Sequence, residues 1–245
     1  MISALLEIWE FLVAGRIFMG FIALASFVAL AVAIHIGLSL RKGTVVPEEL
    51  MKEIDRADRH FQSGNAEKLR DHFENTASTL SSIGRVAMSD RFSDREEATQ
   101  AVEATAREEV VRLQTGMGIL EVVITIAPLL GLLGTVSGLV SVFATLGTSG
   151  DEAADPAMLA AGIATALNTT IAGLVVAILT VIVHSIFTRR IESLAARMEV
   201  LMSSLLHTFY KRGGPGLYDL EEGELPPVEV ETLPNPGSQE PDIFS

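Results

Sequence analysis

Residues 127–147 read APLLGLLGTVSGLVSVFATLG, a run without a single charged side chain. As a helix rising about 1.5 Å per residue, the run is long enough to cross the roughly 30 Å hydrocarbon core of a bilayer. It also carries Gly131, Gly134 and Gly138 together with several hydroxyl side chains. Glycines let helix backbones approach closely, and hydroxyls need partners in hydrocarbon. The run therefore predicts a membrane helix that packs against other helices or lines a polar passage.

Two further stretches of the chain are equally apolar, so that 49% of all residues are hydrophobic and the mean hydropathy is +0.39. We expect three membrane helices, over 17–40, 119–147 and 157–187, with a short periplasmic hairpin at 148–156. The predicted fold class is all-α, an integral membrane protein in which helices two and three extend into a cytoplasmic helical bundle.

The loop at 41–118 is expected to contribute helices to this bundle. Pro47 followed by two glutamates marks the start of one helix. A second is predicted over 66–83, and Ser93-Asp94 caps a third. This third helix is predicted to continue unbroken into the second membrane helix, because no proline occurs between Ala98 and Ile124. The positions expected on the apolar faces of the first two helices are Leu50, Ile54, Ala57, Phe61, Leu69, Phe73, Ala77 and Leu80.

The third membrane helix is predicted to continue past the bilayer over 188–212, because its apolar stripe persists there. Gly213-Gly214-Pro215 should end it. The remaining chain, 213–245, holds eight acidic residues, six of the nine prolines and no lysine or arginine. This composition predicts a disordered acidic tail.

The distribution of basic residues predicts the orientation, because lysine and arginine accumulate on the cytoplasmic side. Bases lie in 41–118 and 188–212 near the membrane helices, whereas the hairpin at 148–156 has three acidic residues and no base. The N-terminus is therefore expected in the periplasm and the C-terminus in the cytoplasm of a bacterial inner membrane. Residues 1–16 are predicted to form an outward-facing interfacial helix, and a simple extension of the first membrane helix is the open alternative.

Composition argues against several function classes. The chain has no cysteine, which excludes disulfides, thiolate metal sites and cysteine nucleophiles. Its net charge of −13 disfavours nucleic-acid binding. Phosphate-loop, zinc-protease and serine-hydrolase motifs do not occur. We therefore expect no enzyme activity, no cofactor and no metal.

Small and hydroxyl residues repeat in alternating four- and three-residue steps along the second and third membrane helices, which places each set on one face. They are Gly131, Thr135, Gly138, Val142 and Thr145 in the second helix, and Ala166, Thr170, Gly173, Ala177, Thr180 and His184 in the third. Thr165, Asn168 and Thr169 lie beside the latter. Two interpretations stay open: tight packing in which each hydroxyl bonds the carbonyl four residues earlier, and a polar pore or subunit interface.

The other polar positions in these stretches carry weaker signals. Pro128 is expected to kink the second membrane helix. Glu121 lies near the cytoplasmic end of helix two, where a solvated carboxylate is expected and a proton relay is the alternative. His35 and His184 lie at the inner ends of helices one and three and are expected to be satisfied interface histidines. Since no carboxylate occurs at mid-membrane, any proton carried across must titrate on a group from another chain.

The stretch at 127–147 and the helix-three stretch AAGIATALNTTIAGLVVAI at 160–178, with the short hairpin between them, resemble the MotA/TolQ/ExbB proton-channel family. The three-helix layout is most similar to ExbB and TolQ. The resemblance implies a homopentamer surrounding a dimer of a single-span ExbD/TolR-like partner, whose membrane aspartate carries the proton. It also implies that Thr135 and Thr170 line the pore. Family members often have glutamate where this chain has Thr165.

The resemblance implies a motor driven by the proton-motive force that energises outer-membrane transport or envelope processes, with a TonB/TolA-like energy transducer as a further partner. A non-conducting oligomeric membrane scaffold is the alternative, in which the glycine faces only hold subunits together. A self-sufficient solute transporter is disfavoured, because coupling-ion sites usually need charged groups or broken helices within the membrane.

Overall fold

The computed structural model describes residues 16–63, 65–148 and 156–218, and this part of the chain contains helices and no strand. The helices are α1 (Arg16–Ser39), α2 (Lys42–Val45), α3 (Glu48–Asp55), α4 (Ala57–Gln62), α5 (Ala66–Asn75), α6 (Thr79–Ala87), α7 (Arg95–Leu113), α8 (Met117–Thr148), α9 (Pro156–Lys211) and a 3-10 turn (Gly214–Tyr218). The all-α fold class is confirmed. The predicted interfacial helix, most of the hairpin and most of the acidic tail lie outside the described residues.

Three helical segments are long and apolar enough to cross a membrane: Ile17–Ser39, Met117–Ala144 and Leu159–Lys211. This confirms the three predicted membrane helices. Many of their large apolar side chains are exposed on the single chain, Phe27 at 70% and Val140 at 63% among them. Such exposure is costly in water, and it is favourable where lipid or another helix covers the surface.

The third membrane helix continues past the apolar stretch, as predicted. α9 is unbroken to Lys211. The chain then turns at Gly213 and Gly214, whose φ angles of 124° and 60° are left-handed values that favour glycine. The described beginning of the predicted tail, 213–218, forms a packed 3-10 turn in which Leu217 is buried.

The predicted continuous helix from residue 95 into the membrane is wrong, because the chain leaves the helix at 114–116. Gly116 has a φ of 95° there, and α8 begins immediately after it. A Cβ atom at Gly116 would lie 3.3 Å from the Val32 side chain and 3.4 Å from that of Ile36. Close packing on α1 and a left-handed glycine therefore separate α7 from α8. The predicted start of α7 is confirmed by the Asp94 carboxylate, which accepts the Glu96 N–H at 3.1 Å.

The predicted helix over 66–83 is also interrupted. α5 ends at Asn75, and Thr76 takes an extended conformation. The Ser81 hydroxyl donates to the Thr76 carbonyl oxygen across the break. The Phe73 ring then packs directly on Gly84, where a Cβ atom would overlap it. Ala77, expected on the apolar face, is exposed because it lies in the interruption.

The described chain forms two compact units. The membrane unit includes α1, α8 and α9 as far as Glu199. α1 packs along α8, and the Phe187 ring of α9 lies beside Gly37 of α1. The three apolar helices of this unit therefore form one packed group.

The second unit, the bundle unit, contains α3 to α5, most of α6 and the end of α9. The predicted apolar residues Leu50, Ile54, Ala57, Phe61, Leu69 and Phe73 are all buried in it. The rings of Phe61 and Phe209 lie 5.5 Å apart, and Phe209 also contacts Tyr218 at 5.9 Å. The Tyr218 hydroxyl donates to the Met88 carbonyl at 2.9 Å, and burial raises its pKa.

The bundle unit contains an acid-sensitive contact between α3 and α4. His60 Nε2 lies 2.7 Å from Glu53 Oε2, and this hydrogen bond, with the charges of His60 and Arg56, holds the pKa of Glu53 below its usual value. A lowered carboxyl pKa stabilises the fold above the pKa of the unfolded chain, and the contribution is lost as pH falls through the folded pKa.

We therefore expect the wild type to unfold at a higher temperature than Glu53→Gln at pH 6. The difference should shrink as pH falls below about 4.5, which is near the usual glutamate pKa. Circular dichroism at 222 nm during heating of the detergent-solubilised chain measures it. Glu67→Gln, which changes a carboxyl at the start of α5, is the control. A difference that stays constant down to pH 3.5 would contradict the assigned contact.

Candidate functional site between the second and third membrane helices

α8 and α9 approach each other so closely that their backbones touch. A Cβ atom at Gly173 would overlap the carbonyl oxygen of Ala127, and one at Gly131 would lie 3.0 Å from the carbonyl oxygen of Thr169. Only glycine leaves room for the facing helix at these two positions. The small residues predicted on one face of each helix therefore pack against each other.

The same contact continues along both helices in antiparallel order. Gly134 faces Thr169, and a Cβ atom at Gly138 would lie 2.8 Å from that of Ala166. Farther along, Gly162 of α9 packs against Val142. We call this contact the glycine junction, comprising Ala127, Gly131, Gly134, Gly138, Val142, Gly162, Ala166, Thr169, Thr170 and Gly173.

Thr170 makes a hydrogen bond that crosses the junction at mid-span. Its hydroxyl donates to the Gly131 carbonyl oxygen of the facing helix at 3.0 Å. Thr135 lies one turn farther along α8, is 9% exposed, and donates to the Leu132 carbonyl at 2.7 Å. Thr135 and Thr170, the two predicted pore threonines, therefore lie about one helical turn apart along the paired helices α8 and α9.

The other hydroxyls follow the packing interpretation. Thr165, Thr169 and Thr180 donate to the carbonyl four residues earlier, at 2.9, 3.4 and 2.7 Å. Such bonds satisfy a hydroxyl within its own helix and require no partner from outside. Thr170 is therefore the residue at which the two interpretations of the sequence differ.

A cleft of about 190 Å³ opens beside the junction, between α1, α8 and α9. Phe18 of α1 closes one side, and the hydroxyl residues Ser137, Ser141, Thr165 and Thr169 line the others. Thr165 thus lies at a polar recess in the membrane unit.

Three predicted site residues have other surroundings. Asn168 is exposed on the single chain and does not belong to the junction. Ala177 is buried farther along α9. Pro128 lies inside α8 without ending it, and since proline has no N–H, one carbonyl of the preceding turn loses its helical partner. Within the described segments, no group of three histidine or acidic side chains could hold a metal ion.

The sequence model of the MotA/TolQ/ExbB proton channel family matches residues 50–200, which include all of α8 and the junction part of α9. The chain belongs to this family. The putative biopolymer transport protein ExbB homolog of Methanothermobacter thermautotrophicus is 36% identical over 142 residues, 57% of this chain and 48% of the relative. The putative ExbB-like 1 protein of Synechocystis is 46% identical over 87 residues, 35% of this chain and 34% of the relative.

The biopolymer transport protein ExbB of Xanthomonas campestris is 30% identical over 142 residues, 58% of this chain and 53% of the relative. The chain spans about half the length of these curated relatives or less. The predicted family is confirmed, and the three apolar helices support a multi-pass membrane protein.

One pair in this family member was not expected from the sequence. His184 Nε2 of α9 lies 3.3 Å from Glu121 Oε1 of α8, whereas the sequence predicts a solvated Glu121 and a satisfied interface histidine at 184, with no contact between them. Their contact follows from the antiparallel arrangement that sets Thr170 opposite Gly131. Spacing within one helix does not give the alignment between two helices, so the sequence offered no direct signal for this pair.

Proposed function

We propose that the chain is the ExbB-like subunit of a motor driven by the proton-motive force in a bacterial inner membrane. In this proposal five copies surround a single-span partner of the ExbD/TolR kind, and the motor energises outer-membrane transport or envelope processes through a TonB/TolA-like transducer. The hydrogen bond from Thr170 to the Gly131 carbonyl carries the proposal, because it sets a polar contact at mid-span beside the buried Thr135.

The proposed mechanism needs a carboxyl group supplied by the partner, since the mid-membrane part of α8 and α9 has none. A carboxylate in a low-dielectric pore is costly, and hydrogen bonds from hydroxyls lower that cost. When it is charged, the group binds near Thr135 and Thr170, whose hydroxyls turn from the Leu132 and Gly131 carbonyls to donate to it. When it is protonated, the group moves past the apolar wall of the pore. Each proton that crosses supplies about 2.3 kcal/mol per 100 mV, enough to bias a step of the partner against the pentamer.

Exposure on the single chain supports assembly and a membrane environment. Leu129 of α8 and Ile171 of α9 are 58% and 57% exposed. The neighbouring junction residues Gly131, Thr169 and Gly173 are buried. We propose that these apolar faces contact lipid and neighbouring copies. The basic residues near α1 and α9 favour a periplasmic N-terminus and a cytoplasmic C-terminus.

Purification of the tagged chain from its native membrane tests the assembly. We expect a single-span protein with one aspartate in its membrane helix to co-purify, and native mass spectrometry to count five copies of this chain per complex. An oligomer that contains this chain alone, with no co-purifying single-span protein, would instead indicate the scaffold alternative.

A further inference from the structure

We propose that His184 and Glu121 form a proton-release pair at one end of the membrane helices, an inference that rests on the proposed channel function. His184 Nε2 and Glu121 Oε1 are 3.3 Å apart and join α9 to α8. Within the described chain, neither side chain has a second ion-pair partner. α8 carries no other ionisable residue, so Glu121 is the only carboxyl group this helix can offer.

The depth of the pair suits an exit position. It lies ten residues from Gly131 along α8 and fourteen from Thr170 along α9, which corresponds to about 15–21 Å of helix. Half of the hydrocarbon core is roughly 15 Å thick. If the junction lies at mid-span, the pair lies where hydrocarbon meets headgroups, on the side proposed to be cytoplasmic.

The two side chains differ in their access to solvent. The His184 side chain is 23% exposed, whereas that of Glu121 is 65% exposed. A proton relay needs an inner group that is partly shielded from solvent and an outer group that water reaches. The His184 imidazole and the Glu121 carboxylate, which are in contact, meet these two requirements. Other ionisable side chains near this end of the membrane helices include His35 on α1 and Arg189 and Arg190 on α9, and all three are exposed.

The relay transfers one proton in three steps. Water in the pore carries the proton from the partner's carboxylic acid, which becomes a carboxylate, to the neutral imidazole of His184, which becomes imidazolium. The imidazolium N–H passes a proton to the Glu121 carboxylate, and water at the membrane surface takes it from the resulting acid. Histidine suits this role because imidazoles change charge near neutral pH.

Proton uptake by liposomes containing the full chain with its co-purified partner tests the pair. A potassium diffusion potential drives uptake, and a trapped pH dye reports the rate. We expect His184→Ala and Glu121→Gln to slow uptake at least tenfold. His35→Ala, the same substitution at an exposed histidine of α1, should keep the wild-type rate. Imidazole on the exit side should restore uptake in His184→Ala and leave Glu121→Gln slow.

The possible results are distinguishable. Two results overturn the inference: unchanged proton uptake in both variants, or a loss of uptake in His184→Ala that imidazole does not restore. Either result would show that the contact between His184 and Glu121 only holds the helices together. If His184→Ala does not assemble, His184→Gln keeps a hydrogen-bonding side chain toward Glu121, and wild-type uptake by it overturns the inference equally. A wild-type complex without proton uptake contradicts the proposed function itself, and the inference with it.

Discussion

Replacing Gly173 with alanine is expected to destabilise the membrane unit by about 1–3 kcal/mol, the usual cost of adding a methyl group to a full core. The new Cβ atom would overlap the Ala127 carbonyl oxygen and lie 3.2 Å from the Gly131 Cα atom. Both obstacles are backbone atoms, so no side-chain rotation relieves the overlap. α8 and α9 must therefore separate, and the Thr170 hydroxyl loses its partner on Gly131.

Gly20→Ala is the matched control for this substitution. Gly20 lies within α1, and a Cβ atom there has nothing within 4 Å on the single chain. Because alanine favours helix more than glycine does, this control should be neutral or slightly stabilising. Size-exclusion chromatography after stepwise heating of the purified chain measures the difference. Equal melting of the two variants would contradict the backbone contact at the junction.

Thr135→Val combined with Thr170→Val is expected to leave the assembly intact and to reduce proton uptake at least tenfold. Valine keeps the shape of threonine and removes the hydroxyl, so the junction stays filled. The loss of the Thr170 hydrogen bond should cost stability by only about 1 kcal/mol. The partner's carboxylate would then meet an apolar wall where hydroxyls had been, and its charged form would be disfavoured.

Thr180→Val is the control for the double variant. Thr180 is buried on α9, and its hydroxyl donates to the Val176 carbonyl of the same helix. Its replacement removes a hydroxyl and leaves the helical turns that carry Thr135 and Thr170 unchanged. The rate of proton uptake by liposomes distinguishes the double variant from Thr180→Val. Wild-type uptake by the double variant, or an equal loss in Thr180→Val, would reject the assigned roles.

The composition of the chain and the spacing of its apolar residues predicted much of the architecture. The three membrane helices follow from length and apolarity, and the end of α9 follows from two glycines in sequence. The start of α7 was predicted because aspartate before a helix accepts a backbone N–H, as Asp94 does. These features depend on residues close together in the chain.

The unpredicted features depend on contacts between distant residues. Gly116 takes a left-handed conformation against Val32 and Ile36, and a single glycine in a helical pattern does not predict such a break. The spacing of small residues along α9 predicted that Thr170 lies on the small-residue face. Only the packing of α8 against α9 shows that the Thr170 hydroxyl reaches the Gly131 carbonyl. The pairing of His184 with Glu121 was missed for the same reason.

Disulfide cross-linking to the partner tests the orientation of the junction directly, because the chain has no cysteine of its own. Thr170→Cys would be combined with single cysteines placed in turn along the partner's membrane helix, and Val140→Cys, on the exposed side of α8, would be the control. If Thr170 faces an enclosed partner, Thr170→Cys cross-links at one level of that helix and Val140→Cys does not. Cross-linking through Val140→Cys alone would show that the junction faces away from the partner and would contradict the proposed pore.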